Sequence, residues 1–335
     1  MIRPAPASAI GWPSGEHTTS RAPQKTRVLV LGGTGFVGRH VVAKLSAAGH
    51  EVVVLTRKRD RGRPLFLLPT VQVRQGDPCD PATLVRLARG AGVAINLVGI
   101  LHARGRDTFD RVHVALVRTL VDACRDAGVR RVLHMSAQGA SASAASAYLR
   151  SKAAGEEVVT ASGLAWTIFR PSVIFGSGDT FLNLFAKLAA TFPVIPLAAA
   201  GARFQPVYVG DVAACFARAV VDDATIGRRY ALCGPNAYTL EDLVRYVAET
   251  SGHARPIVAL GPGLAQVQAR VLELLPGPLL TRDNLASMQH DNVCEGPFPA
   301  EFDITPAPLE AIAPEYLAPT SLHSRFDVFR ARDIQ

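Results

Sequence analysis

An apolar run that breaks into four glycines within seven residues, and resumes as a helix, constrains this chain more than any other feature. The stretch is RVLVLGGTGFVGRHVVAKLSAAGHEVVVLTRKRDRGR, from Arg27 to Arg63. Arg27–Leu31 reads as a strand and Phe36–Ala48 as a helix, with Gly32, Gly35 and Gly38 between and at the helix start. In strand–turn–helix context each glycine has a physical task. Gly32 admits a tight turn, Gly35 lets backbone N–H groups approach a pyrophosphate, and Gly38 permits close helix–sheet packing. The helix N-terminus then faces the anion with its unpaired N–H groups.

The alternation continues. Glu51–Thr56, Val71–Gln75, Val93–Val98 and Arg130–Met135 read as strands. Between them fall a helix opened by Asp80 as N-cap with Pro81 behind it, and a helix over Phe109–Ala127. A helix at Ala147–Ala161 follows, then strands at LAWTIFR and RRYALCG. This order predicts an α/β chain, a Rossmann-type doubly wound parallel sheet with a small C-terminal mixed lobe. The expected division is a disordered basic leader over 1–25, with a basic organelle-type presequence as the alternative, and a dinucleotide-binding domain over 26–175. The rest of the sheet and a substrate or partner lobe take 176–318, and a tail 319–335. In the lobe, DTFLNLFAKLAATFP and YTLEDLVRYVAETSG read as helices, the second capped by Thr239 with Asp242 in its first turn. Leu264, Val267, Val271 and Leu274/Leu275 fall on one helical stripe, which reads most simply as lobe core and more sharply as a partner or membrane-surface face.

Composition narrows the classes. Hydrophobic residues make up 48% and charged residues 19%, which supports a sizeable core and excludes a disordered chain. A net charge of +8 suits an anionic ligand, and no nucleic-acid motif or aromatic platform accompanies it. Cys79, Cys124, Cys215, Cys233 and Cys294 form no CxxC pair, so isolated reduced thiols of a cytosolic protein are expected. No HExxH spacing points to a metal, and no run of eighteen apolar residues to a membrane span. A cytoplasmic location is expected, with membrane association only through a partner or peripheral contact.

Which dinucleotide is held turns on the tip of the second strand. An NAD site carries Asp or Glu there for the ribose 2′-hydroxyl. This chain has Thr56, Arg57, Lys58 and Arg59. A guanidinium grips a 2′-phosphate, which an acid would repel, so NADP(H) is expected over NAD(H). The alternative is a solvated basic loop.

Tyr148 and Lys152 stand four apart and share one face of a helix. A Lys ammonium beside a Tyr lowers its pKa toward neutrality, so Tyr148 can pass a proton to a substrate oxygen during hydride transfer. Ser136, just past the fifth strand, offers an orienting hydroxyl.

With GGTGFVG, YLRSK and FRPSVIFGSGD together, the chain resembles the short-chain dehydrogenase/reductase superfamily in its extended or atypical branch. INLVGI, HMSAQGA, YLRSKAAGE, RPSVIFGSGDTFLN, QPVYVGDVA and LLPGPLLTRDNL narrow the resemblance. They are similar to the NDUFA-nine-like group, the nucleotide-binding accessory subunit of mitochondrial complex I and its bacterial relatives. The resemblance implies that Gly32, Gly35 and Gly38 hold the pyrophosphate, with Thr34 and Phe36 beside it. It implies Arg57 at the 2′-phosphate, Asp77 at the adenine, and Asn96, Leu97 and Val98 along the ribose. Tyr148 and Lys152 match the active-site pair, Lys152 also reaching the nicotinamide ribose, and Pro171 and Ser172 match the nicotinamide end. Ser136 precedes Tyr148 by only twelve residues, fewer than extended enzymes allow, which leaves Ser141 as a rival.

Smaller signals are Asp179, which reads as a helix cap, and His102 and His113, which read as solvent-facing. Arg170, Arg203 and Gln205 are weak candidates for an anionic or quinone-like substrate. The functional reading is an NADP(H)-dependent oxidoreductase acting on a small or lipophilic, quinone-related carbonyl or alcohol. The alternatives are a non-catalytic NADP(H)-binding subunit tied to respiratory complex I or a quinone-biosynthesis complex, a redox-sensing binder, and, more remotely, an epimerase.

Overall fold

The apolar runs settle into a seven-stranded parallel sheet. The computed structural model describes residues 25–273 and 280–319. In chain order the strands are β1 (Arg27–Leu31), β2 (Glu51–Thr56), β3 (Val71–Gln75), β4 (Val93–Asn96), β5 (Arg131–Met135) and β6 (Ala165–Pro171). Then come the short β7 (Ile174–Phe175), β8 (Ile195–Leu197), β9 (Arg203–Phe204) and β10 (Val207–Tyr208), followed by β11 (Arg228–Leu232). The sheet runs β11-β6-β5-β4-β1-β2-β3. Strand order reverses between β1 and β4, and a crevice opens beyond their carboxyl ends. β1, β2 and β4 are buried almost throughout, because helices cover both faces of the sheet.

The helices are α1 (Phe36–Ala47), α2 (Pro81–Ala88), α3 (Leu116–Ala127), α4 (Ala147–Thr160), α5 (Phe181–Thr191), α6 (Val209–Ala219), α7 (Leu240–Thr250), α8 (Pro262–Glu273) and α9 (Arg282–Ser287). Val41, Val42 and Leu45 of α1 join Phe216 of α6 on one face, with Phe169 and Phe216 rings 4.4 Å apart. Leu84, Leu116, Leu120 and Cys124 cover the other face. Each such burial contributes about 1.5–3 kcal/mol relative to exposure. Asp80 caps α2 by accepting from the Ala82 and Thr83 N–H groups, and Thr239 with Asp242 forms a capping box on α7.

Some expectations shift. The strand expected to reach Val98 leaves the ladder at Asn96, whose Oδ1 accepts the Val98 N–H at 3.1 Å. The helix expected from Phe109 opens as a π-helical turn over Asp110–Ala115 before α3. On α8, Leu264, Val267 and Val271 are 63%, 55% and 57% exposed, so the stripe is not lobe core. The helix docks instead through its small residues, Ala265 and Ala269, against Ala198 and Leu285. Leu274 and Leu275 lie outside the described residues, as do 1–24 and 320–335 of the expected leader and tail.

The expectation of five free thiols is also corrected. Cys233 and Cys294 form a disulfide, with Cα atoms 6.0 Å apart across a sequence separation of 61. Folding brings the end of β11 against the segment around Asn292. Cys124 and Cys215 are buried fillers in the core, and Cys79 is partly exposed.

Candidate functional site

The turn after β1 is built so that side chains have no room. Gly32 has φ +80°, and a Cβ there would lie 2.8 Å from the Leu97 carbonyl carbon. A Cβ on Gly38 would lie 2.1 Å from the Gly32 oxygen. The first turn of α1 therefore packs directly on the glycine turn, and the backbone after β4 closes on it from the side. Its entry, Gly35, carries no side-chain cap, which leaves the first N–H groups of α1 open toward the crevice. These features fit a dinucleotide pyrophosphate. Thr34 Oγ1 lies 3.5 Å from Thr56 Oγ1, tying the turn to the tip of β2, and Phe36 packs edge-on against His40.

Arg57 sits at that tip, exposed, but not free. Its Nη1 contacts Asp107 Oδ2 at 2.9 Å and Oδ1 at 3.2 Å. Asp77 is exposed after β3 and accepts the Cys79 N–H at 2.9 Å, as an Asx turn does. Asn96 is buried, its Oδ1 occupied by Val98 and its Nδ2 3.2 Å from His134 Nδ1. Leu97 is buried beneath Gly32, with Val98 beside it.

Helix α4 carries the Tyr–Lys pair. The Lys152 side chain is buried, and its Nζ donates to the Met135 carbonyl at 3.2 Å. Nζ also lies beside Gly99, where a Cβ would be 3.0 Å away. The ammonium thus stands at the carboxyl ends of β4 and β5, at the crevice. Burial pulls Lys152 down to about 8, opposed in part by Glu156. Tyr148 is pushed up to about 12 by burial, so the expected lowering by Lys152 is not expressed in the protein alone. Ser136 is buried next to Met135, and its Oγ has no hydrogen-bond partner. Ser141 is exposed and turned toward Ser143 at 3.0 Å.

Pro171 ends β6, and its carbonyl accepts the Gln138 N–H at 2.9 Å. The Ser172 hydroxyl donates to the Gln205 carbonyl, so it is already engaged within the protein. Gln205 itself is structural, bonded to Gly234 and Cys294 through its amide. Arg170 is locked to the buried Glu156 by two contacts of 2.6 and 2.7 Å, and Arg203 faces Asp291 at 4.0 Å. Arg170 and Gln205 are thus held by protein partners, while Arg203 is exposed. Asp179 caps α5, accepting Leu182 and Asn183 N–H groups and the Tyr316 hydroxyl.

His113 is not solvent-facing as expected. It is 2% exposed, and its Nε2 accepts the Ile100 N–H at 3.0 Å. Nδ1 therefore carries the proton and donates to Ser151 Oγ at 2.8 Å, which donates to the Tyr148 carbonyl at 2.7 Å. The imidazole also packs edge-on against the Tyr148 ring, 5.7 Å between centroids. Burial, then Lys152, pulls His113 down to about 3, which keeps it neutral. Asp283, on α9 of the lobe, accepts the N–H groups of Ala147 at 2.6 Å and Tyr148 at 3.1 Å. Sequence reasoning passed over His113, Ser151 and Asp283 as site residues. Asp283 lies inside the quoted LLPGPLLTRDNL, the one sequence signal that pointed toward it.

A protein-family model described as NAD(P)H-binding matches residues 32–182. The chain is 32% identical to the rat "NADH dehydrogenase [ubiquinone] 1 alpha subcomplex subunit 9, mitochondrial" over 304 residues, 86% of this chain and 78% of that one. With the mouse counterpart the identity is 36% over 231 residues, and the match spans only 59% of that protein's length. Ceramide reductase of Caulobacter vibrioides is 36% identical over 253 residues, 73% of this chain and 77% of that one. In fold, the chain is similar to an NADPH-dependent quinone oxidoreductase of Escherichia coli solved with NADPH. The TM-score is 0.68 at 19% identity, covering 85% of this chain and 98% of that one.

Proposed function

We propose, on the premise that the chain belongs to the short-chain dehydrogenase/reductase-like family that includes subunit 9 of the complex I alpha subcomplex, that it is an NADP(H)-dependent reductase of a lipophilic carbonyl compound. One observation carries the reading. The buried Lys152 ammonium stands at the carboxyl ends of β4 and β5, one helical turn from Tyr148, beside the crevice that the glycine turn opens on. The 36% identity to a protein named ceramide reductase supports a lipophilic substrate, and a quinone-like acceptor falls in the same chemical class.

The nucleotide supplies a hydride when bound. Gly32, Gly35 and Gly38 would hold its pyrophosphate through backbone N–H groups, with Thr34 and Phe36 flanking. Arg57 would take the 2′-phosphate, Asp77 the adenine side, and Asn96, Leu97 and Val98 the ribose wall. Pro171 and Ser172 would bound the nicotinamide end. Tyr148 donates the proton that the reduced carbonyl oxygen needs, and Lys152 offsets the phenolate charge left behind. Ser136 Oγ, without a partner in the protein, orients the same oxygen.

The test is NADPH consumption with long-chain carbonyl acceptors. Tyr148→Phe is expected to cut turnover by roughly 10²–10⁴-fold while NADPH binding changes little. A second reading, a nucleotide-holding subunit of a respiratory or quinone-linked complex, is supported by the identity to the rat complex I subunit. It expects no consumption with any acceptor, and co-purification with a membrane complex that Tyr148→Phe leaves intact. Among the described residues no helix is long and apolar enough to cross a membrane, so such an association would run through a partner or the surface.

A further inference from the structure

At the tip of β2 the sequence presents Thr56, Arg57, Lys58 and Arg59 and no acid, yet folding supplies one. Asp107 comes from the loop between β4 and α3, fifty residues along, and sits on Arg57 Nη1 at 2.9 and 3.2 Å. The loop is held in that pose by its own backbone: the Arg104 and Asp107 N–H groups donate to each other's carbonyls at 2.9 and 3.0 Å. Both Asp107 oxygens are thus committed to one cation, through its Nη1. Arg111, near the start of the π-helical turn, donates from Nη1 to the Arg106 carbonyl at 3.4 Å in the same loop, and the charges of Asp77 and Asp107 favour its cationic form. An alternative cation for Asp107 is therefore anchored in the same loop.

We propose that Asp107 sets the nucleotide preference of this site by competing for Arg57. This rests on the reading that Arg57 takes the 2′-phosphate. A 2′-phosphate and the Asp107 carboxylate are two anions claiming one cation, and they repel at that spacing. NADPH binding must draw Arg57 away from Asp107, which then turns to Arg111. NADH makes no such demand, and its free 2′-hydroxyl can donate to Asp107 as it would to the acid that NAD sites carry at this place. The chain thus accepts both nucleotides, with its preference for NADPH held below what Arg57 alone would give.

The experiment is direct binding of NADPH and NADH, by fluorescence or calorimetry, to the full chain and to D107N, R57Q and R111Q. D107N is expected to tighten NADPH by about two- to fivefold, the range of an exposed ion pair. The same change should leave NADH unchanged or weaker. R57Q is expected to weaken NADPH at least tenfold and spare NADH. R111Q, which strands Asp107, is expected to weaken NADPH more than NADH. If R57Q loses NADPH but D107N binds both nucleotides as the wild type does, the competition is wrong while the phosphate site stands. If R57Q leaves NADPH binding untouched, the 2′-phosphate reading itself fails, and the competition with it. Amide exchange gives a readout independent of affinity: residues 104–108 should loosen with NADPH and not with NADH.

Discussion

His113 and Tyr148 show how single residues set the geometry of the candidate site. The neutral tautomer of His113 accepts from Ile100, and through Ser151 it fixes the backbone under Tyr148. His134 stands behind it, buried, its Nδ1 facing Asn96 and its Nε2 without a partner. Both are pulled down to about 3, mainly by burial. Their folded-state values lie below the unfolded value near 6.5. The unfolded chain therefore binds more protons between pH 3 and 6.5, and stability is present above 6.5 and lost as pH falls. Each contributes up to roughly 3 kcal/mol of loss by pH 4.5. Urea midpoints between pH 7 and 4.5 should drop steeply, and His134→Gln should flatten that drop. His113→Ala should leave nucleotide affinity near wild type but lower turnover, since it loosens Tyr148, the proposed proton donor. The Tyr148–Lys152 pair was legible because helix geometry fixes residues four apart on one face. His113 was not, because its burial comes from a loop and a helix that meet only in the folded chain.

At the scale of elements, the helix bearing Tyr148 and Lys152 is held from two directions. Ser146 caps it locally through the Leu149 N–H, and Asp283 closes its first two N–H groups from the lobe. Asp283→Ala removes the second cap, and the expected cost is about 0.5–2 kcal/mol, read as a lower midpoint in urea. Because the lobe then loses its grip on α4, turnover should fall more than NADPH affinity, and Asp283→Glu should restore part of both. The glycine turn is tested similarly: Gly38→Ala puts a Cβ 2.1 Å from the Gly32 oxygen, so the nucleotide should be lost or the fold weakened. Most strands and helices were readable from apolar runs and caps. The early end of β4 was not, since the Asn96 side chain takes a backbone donor that periodicity assigns to the ladder.

For the whole molecule, the C-terminal segment is stitched across the sheet's edge. Asn292 Oδ1 accepts the Val173 N–H, Val293 accepts from Gln138, and Cys294 is joined to Cys233 at the end of β11. Closing a loop of that length stabilises by about 2–4 kcal/mol. Reductant should lower the unfolding midpoint of the wild type and leave Cys233→Ser/Cys294→Ser unmoved. The doubly wound parallel sheet was foreseeable from alternation alone. The disulfide was not, because cysteines 61 residues apart carry no local signal of pairing. The crevice between β1 and β4 is proposed to hold NADP(H), and mass spectrometry of the small molecule released from protein purified without added nucleotide checks it. The expected result is NADP⁺ or NADPH approaching one per chain, absent from Gly38→Ala. Protein that carries no nicotinamide nucleotide, and takes up neither NADPH nor NADH when they are supplied, would contradict it.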